Sequence, residues 1–161
     1  MTKPVVFVSH ISPEAKLAEI LTSQISQDFL GLFDLFVMSD DISISLGSKW
    51  INVVSDALKN AQVMLIICSR QSIKRPWINF EAGAGWIKDI PVVPVCHTGM
   101  TPEDLPIPLN LLQAISASDI RGLERLYGLL ANQLVSCPTN NVRNDLVCAM
   151  FPHHAVTGGI Q

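Results

Sequence analysis

No glycine-rich phosphate loop follows the first apolar run of this chain. Val8-Ser9-His10-Ile11-Ser12 contains neither GxGxxG nor GxxxxGK[ST], which argues against a dinucleotide cofactor held on a Rossmann-type turn. HExxH and the nucleophile-elbow pattern GxSxG are missing too. The four cysteines, Cys68, Cys96, Cys137 and Cys148, form no CxxC pair and no metal-ligand spacing. Cys68 and Cys96 end apolar runs and read as buried thiols. Adjacent His153 and His154 read as solvated tail residues, so no metal site is expected. Basic residues are outnumbered, 11 Lys and Arg against 14 Asp and Glu, for a net charge of −3. That balance lacks the basic footprint of a nucleic-acid binder. No apolar run approaches the roughly 20 residues of a membrane-spanning helix. Met1-Thr2-Lys3-Pro4 leads straight into a strand pattern without a cleavage site, so no secretory signal is read and a cytoplasmic location is expected.

Charged residues make up only 16% of the chain and apolar ones 48%, a composition that excludes disorder and predicts a substantial core. The 161 residues suffice for one α/β domain but not for two. Val5-Val6-Phe7-Val8 reads as a buried first strand, and Ser12-Pro13-Glu14 as a helix start. Leu17, Leu21, Ile25 and Phe29 give that helix an apolar stripe, and Gly31 ends it. Asp34 to Met38 reads as a second strand, running into a polar loop over 39–47 that carries Ile42, Ile44 and Leu46. Ser48 can cap a helix whose buried side is Trp50, Ile51, Val54, Leu58 and Ala61. Val63 to Cys68 is a third strand. Ile90 to Cys96 is a fourth, weakened by Pro91 and Pro94, which imply an edge or a bulge. After a proline-rich loop over 102–108, Ala114 to Ala117 reads as a short fifth strand and Arg121 to Val135 as an amphipathic helix. This alternation predicts a flavodoxin-like α/β fold, a four- to five-stranded parallel sheet with helices on both faces. The domain is expected to span residues 1–136. Residues 137–161 are expected to form a C-terminal extension or linker, in which 142–151 can be read as one more short helix.

The stretch from Ser69 to Trp86 organises the rest. Pro76 suits a first helical turn because it has no N–H to leave unpaired. Trp77 and Glu81 stand four apart, so a helix puts them on one face. A carboxylate beside an aromatic ring at the carboxyl end of a parallel strand lies where open α/β sheets bind ligands. Trp77, Phe80 and Trp86 are expected to make the surroundings of Glu81 apolar and raise its pKa, making it the best catalytic candidate. Ala82, Gly83, Ala84 and Gly85 would let the helix press close to its neighbours. Trp50 and Trp77 each read as core or as a stacking platform, and His10 as a site residue or a structural hydrogen-bonder.

In order along the chain, Phe7-Val8-Ser9-His10, the loop from Asp40 through Gly47 to Trp50, Ser69 through Glu81 with its WxxxE spacing, Pro91 to Val95, and Ser116 to Asp119 resemble a Toll/interleukin-1 receptor (TIR) domain of the bacterial enzymatic type. The resemblance covers residues 4 to about 136. It implies NAD+ glycohydrolase or ADP-ribosyl cyclase activity with NAD+ as substrate and no cofactor. It places Glu81 in the catalytic position, with Trp77 beside it. Phe7, Ser9 and His10 would line the pocket floor, and Ser45, Gly47, Ser48 and Trp50 would belong to a loop closing on the substrate. Ser72 would take the place of the family's serine. Leu46-Gly47 stands where many relatives have Pro-Gly. The resemblance further implies self-association into dimers or filaments, a sensor domain or protein outside this chain, and a role in antiviral immunity or cell death. A non-catalytic TIR adaptor acting by homotypic binding is the alternative. A nucleoside deoxyribosyltransferase-like enzyme is a third reading.

Overall fold

The computed structural model describes residues 3–40 and 49–136, with the backbone alone for residues 49–51 and 136. Five strands, β1 (Val5–His10), β2 (Asp34–Ser39), β3 (Ala61–Cys68), β4 (Val92–Cys96) and β5 (Ile115–Ser116), form a parallel sheet in the order β2-β1-β3-β4-β5. Four helices connect or follow them: α1 (Ala15–Asp28), α2 (Lys49–Asn60), α3 (Pro76–Ile87) and α4 (Ile120–Ser136). This is the flavodoxin-like arrangement that the alternation of patterns predicts. Among the described residues no helix is long and apolar enough to cross a membrane.

Alternation along the strands divides the core in two. Val6, Val8, Leu65, Ile67, Val93 and Val95 face one way, where they meet Ala18 and Ile25 of α1 and Leu126, Leu130 and Leu134 of α4. Phe7, Met64, Ile66, Cys68, Val92 and Cys96 face the other, with Val54 of α2 and Ile78 and Ala82 of α3. Because β3 is buried on both faces, it reads as the uninterrupted apolar run Val63–Cys68 rather than as an alternating one. Cys68 and Cys96 are register partners, and both are fully buried free thiols.

Two local details differ from or sharpen the sequence expectations. The helix start at Ser12 is a 3₁₀ turn (Ser12–Glu14) that precedes α1, and Leu30 (φ 52°) and Gly31 (φ 66°) turn the chain off its far end. The proline in β4 sits where the sheet tolerates it. The Cys96 carbonyl accepts from the Ala117 amide on the β5 side. Two residues earlier, Pro94 faces the same way, and β5 pairs only with Val95 and Cys96. The donor that proline lacks is therefore missing on an open edge.

Candidate active site

The loop from β3 to α3 fixes where α3 begins. Ser72 is fully buried; its hydroxyl accepts from the Ser69 amide (2.7 Å) and donates to the Ile67 carbonyl (3.2 Å), folding the loop back on the strand end. Arg75 is extended (φ −83°, ψ 123°), as a residue before proline must be, and Pro76 opens the helix. The Asn79 side-chain amide donates to the carbonyls of Ile73 and Arg75, both at 3.3 Å, bracing that first turn.

With the helix so placed, Ile78, Glu81, Ala82 and Gly85 face the sheet. Gly85 is the contact point: a Cβ there would lie 2.7 Å from Val92 Cγ2 and 3.1 Å from Met64 Sδ. This close approach carries Glu81, 0% exposed, to the carboxyl end of β1. Ser9 points from β1 to the same side as Phe7, and its hydroxyl donates a short hydrogen bond to Glu81 Oε2. No hydrogen bond of ordinary length and angle reaches Glu81 Oε1 among the described residues, but the Trp77 side chain stands close enough to act on the carboxyl as a second donor. Burial pushes the Glu81 carboxyl up to about 7, hydrogen bonding from Ser9 and then Trp77 pulls against that rise, and the charge of Asp40 adds to it.

Asp40 follows β2 directly. Its carboxylate accepts from the Ser12 amide (3.1 Å) and lies 3.7 Å from the Arg75 guanidinium. Asp40 and Arg75 are members of the site that no local pattern marks, because the sheet order alone brings β2 beside β1 and opposite the start of α3. The one available signal is that Asp40 is the first polar residue past a strand that borders β1. Behind them, Glu14 is buried, accepts from the Ile11 amide (3.3 Å) and pairs with His97 Nε2 at 2.9 Å, tying the 3₁₀ turn to the exit of β4.

The other residues singled out in the sequence fall as follows. Trp77 is half-buried, one turn before Glu81, with Phe80 stacked on it at 5.4 Å and 27°. Phe80 and Trp86 do not enclose Glu81. They are 62% and 67% exposed on the outer side of α3, and the sheet rather than an aromatic cage supplies the burial. Phe7 is a fully buried core residue stacked on Phe36 at 5.3 Å. His10 is buried, with Nδ1 2.8 Å from the Ile11 carbonyl. Ser72 holds the β3–α3 loop and makes its hydrogen bonds there. Ser45, Gly47 and Ser48, with Ile42, Ile44 and Leu46, lie outside the described residues, as does the Trp50 side chain. Among the described residues, no three His, Cys, Asp or Glu side chains gather as a metal would require.

Fold and site together define an open parallel α/β domain that sets a desolvated carboxyl at the carboxyl end of its sheet. Residues 6–127, well over half of the chain, match the TIR domain family, and the chain belongs to that family. None of the curated proteins compared with it matches. Among solved structures it is similar to a 3-dehydroquinate dehydratase-like protein from Bifidobacterium longum. Identity is 14%, with 84% of this chain and 99% of that one covered and a TM-score of 0.48, too distant to bear on activity.

Proposed function

We propose that this TIR domain cleaves NAD+ at the bond between nicotinamide and ribose. The observation that carries the reading is Glu81: a wholly buried carboxyl at the carboxyl end of the sheet, with Ser9 donating to one oxygen and Trp77 standing beside it as a second donor. A carboxylate has more acceptor sites than those two donors fill, and a ribose hydroxyl is the kind of donor that would take one of them. Held so, the sugar lies beside Trp77, whose indole suits contact with a flat ring. Heterolysis of the C–N bond sends its electron pair to the pyridinium nitrogen, so nicotinamide departs neutral and needs no proton. The positive charge left on the ribose is stabilised by the ionised Glu81 in a site from which water is largely excluded. Water then adds to the cation and loses a proton, giving ADP-ribose, or another part of the same ADP-ribose closes on it to give a cyclic isomer.

The wider reading follows the same line: a cytoplasmic enzyme of antiviral defence or cell death, activated by self-association and coupled to a sensor outside this chain. The catalytic domain ends with α4, and residues 137–161 are an extension. The test is nicotinamide release from NAD+ by the concentrated full chain, with products separated by chromatography. Glu81→Gln and Glu81→Ala are expected to lose at least about 100-fold in rate, the scale of removing one preorganised electrostatic group, while keeping the wild-type circular dichroism. A chain that releases no nicotinamide at high concentration yet binds another TIR domain tightly would contradict the enzymatic reading and favour the adaptor.

A further inference from the structure

On the face of the sheet opposite Glu81, α1 and α4 leave an apolar groove of about 350 Å³ between them. Leu17, Ile20 and Leu21 of α1 line one side and Ile120, Leu123 and Tyr127 of α4 the other, over Val95 of β4. The Tyr127 hydroxyl donates to Asp28 (2.7 Å), so its ring presents carbon to the groove. Ile20 is 55% exposed and Ile120 71%, an apolar surface of the kind that marks a contact. The function proposed above uses none of these residues.

Residues 137–161 follow α4 directly, and their sequence supplies a segment fit to cover the groove. Val142, Leu146 and Met150 recur every fourth residue, with Val147 and Phe151 as a second such pair beside them, the stripe of an amphipathic helix. Arg143 and Asp145 are the only charges of 142–151, so the stretch Leu146–Phe151 is uncharged throughout. A helix this short is marginal alone in water and needs a surface to pack on. The link to α4 is Cys137-Pro138-Thr139-Asn140-Asn141. Pro138 cannot continue α4, the two asparagines suit a turn, and a link of this length joins antiparallel helices. Both helices rise about 1.5 Å per residue, so a hairpin that sets Val142 beside the end of α4 brings Met150 and Phe151 level with Gly128 and Tyr127. Gly128 has no side chain to hold a neighbour off, and Tyr127 is the near end of the groove. The cleft on the other flank of α4, bordered by Gln113 and Arg125, is the more polar of the two and suits an uncharged stretch less well.

We propose that residues 142–151 form a helix that folds back along α4 and seats Met150 and Phe151 in this groove, completing the core on that face. Hydrogen-exchange mass spectrometry of the full chain reads the contact without reference to activity. Amides of 146–151 are expected to exchange at least about tenfold more slowly than in an unstructured peptide. Their protection is the same from about 1 µM to about 100 µM, because the short link makes the contact intramolecular. Ile20→Asp with Ile120→Asp, both at exposed positions, abolishes that protection and leaves the β1 and β3 amides as slow as in the wild type. Val53→Asp, at an exposed apolar position on α2, changes nothing. Should the groove variant misfold, methyl NMR decides the matter. Phe151→Ala removes a ring from beside Ile20 and Leu123 and so moves their methyl signals, while Ile66, on the opposite face of the sheet, stays in place. Three results would overturn the proposal: amides of 146–151 that exchange at the unstructured rate, protection that survives in a folded groove variant, or Ile20 and Leu123 signals indifferent to Phe151→Ala. Protection that grows with concentration would overturn it too, assigning the groove to a second copy of the chain.

Discussion

A carboxyl group that titrates near pH 7 inside a protein weakens the fold whenever it ionises. Glu81 shifts from an ordinary value of 4.5 to about 7 in the folded chain, chiefly by burial. Between those two values the folded chain keeps a proton that the unfolded chain has released. Stability therefore falls as pH rises through that window and stays at the lower level above it. Glu81→Gln keeps a polar side chain in the same space without the charge. It is expected to be more stable than wild type at pH 8, by on the order of 2–3 kcal/mol, with the two chains converging at pH 4.5 and below in urea unfolding. Equal stability at pH 8 would mean that the carboxyl is solvated. Ser9 acts on the same equilibrium from the other side. Its hydrogen bond lowers the Glu81 pKa, so Ser9→Ala should move the acidic limb of the kcat/KM profile to higher pH without abolishing activity.

Helix α3 carries two glycines two residues apart with opposite environments. At Gly85 an added methyl meets the stiff Val92 side chain at 2.7 Å, whereas at Gly83 it meets nothing. Gly85→Ala should lower stability by about 1–3 kcal/mol through overpacking. Gly83→Ala should raise it by up to about 1 kcal/mol, because alanine is the better helix former. Paired thermal melts check both. The Glu14–His97 contact is a second element-level support: His97→Ala would leave the buried Glu14 carboxyl with the Ile11 amide alone and is expected to cost about 1–3 kcal/mol. The elements themselves were readable where period and punctuation agreed, as in the apolar run of β3, the Pro76 start of α3 and the leucine side of α4. The helix spacing of Trp77 and Glu81 was equally plain. What a local pattern does not contain is which side of α3 meets the sheet. Phe80 and Trp86 are as apolar as Ile78, and only Gly85 against Val92 settles that they turn outward.

At the scale of the whole molecule, the site is a product of strand order. Placing β1 between β2 and β3 brings Ser9, Asp40 and the start of α3 to one end of the sheet, although they lie up to 72 positions apart in sequence, the separation of Ser9 and Glu81. No window of residues shows that convergence, so Asp40 and Arg75 are not visible as partners until the sheet is assembled. The family resemblance reached Glu81, Trp77 and Ser9 because it carries the assembled geometry with it. The most direct measurement is the pH dependence of kcat/KM for nicotinamide release from NAD+, taken on the wild type and Glu81→Gln at one high protein concentration. On the proposed function ionised Glu81 is the stabilising group, so wild-type activity should rise as pH increases through about 7, and Glu81→Gln should be flat and near background. Equal rates for the two chains, or a wild-type profile with no limb near pH 7, would contradict the account.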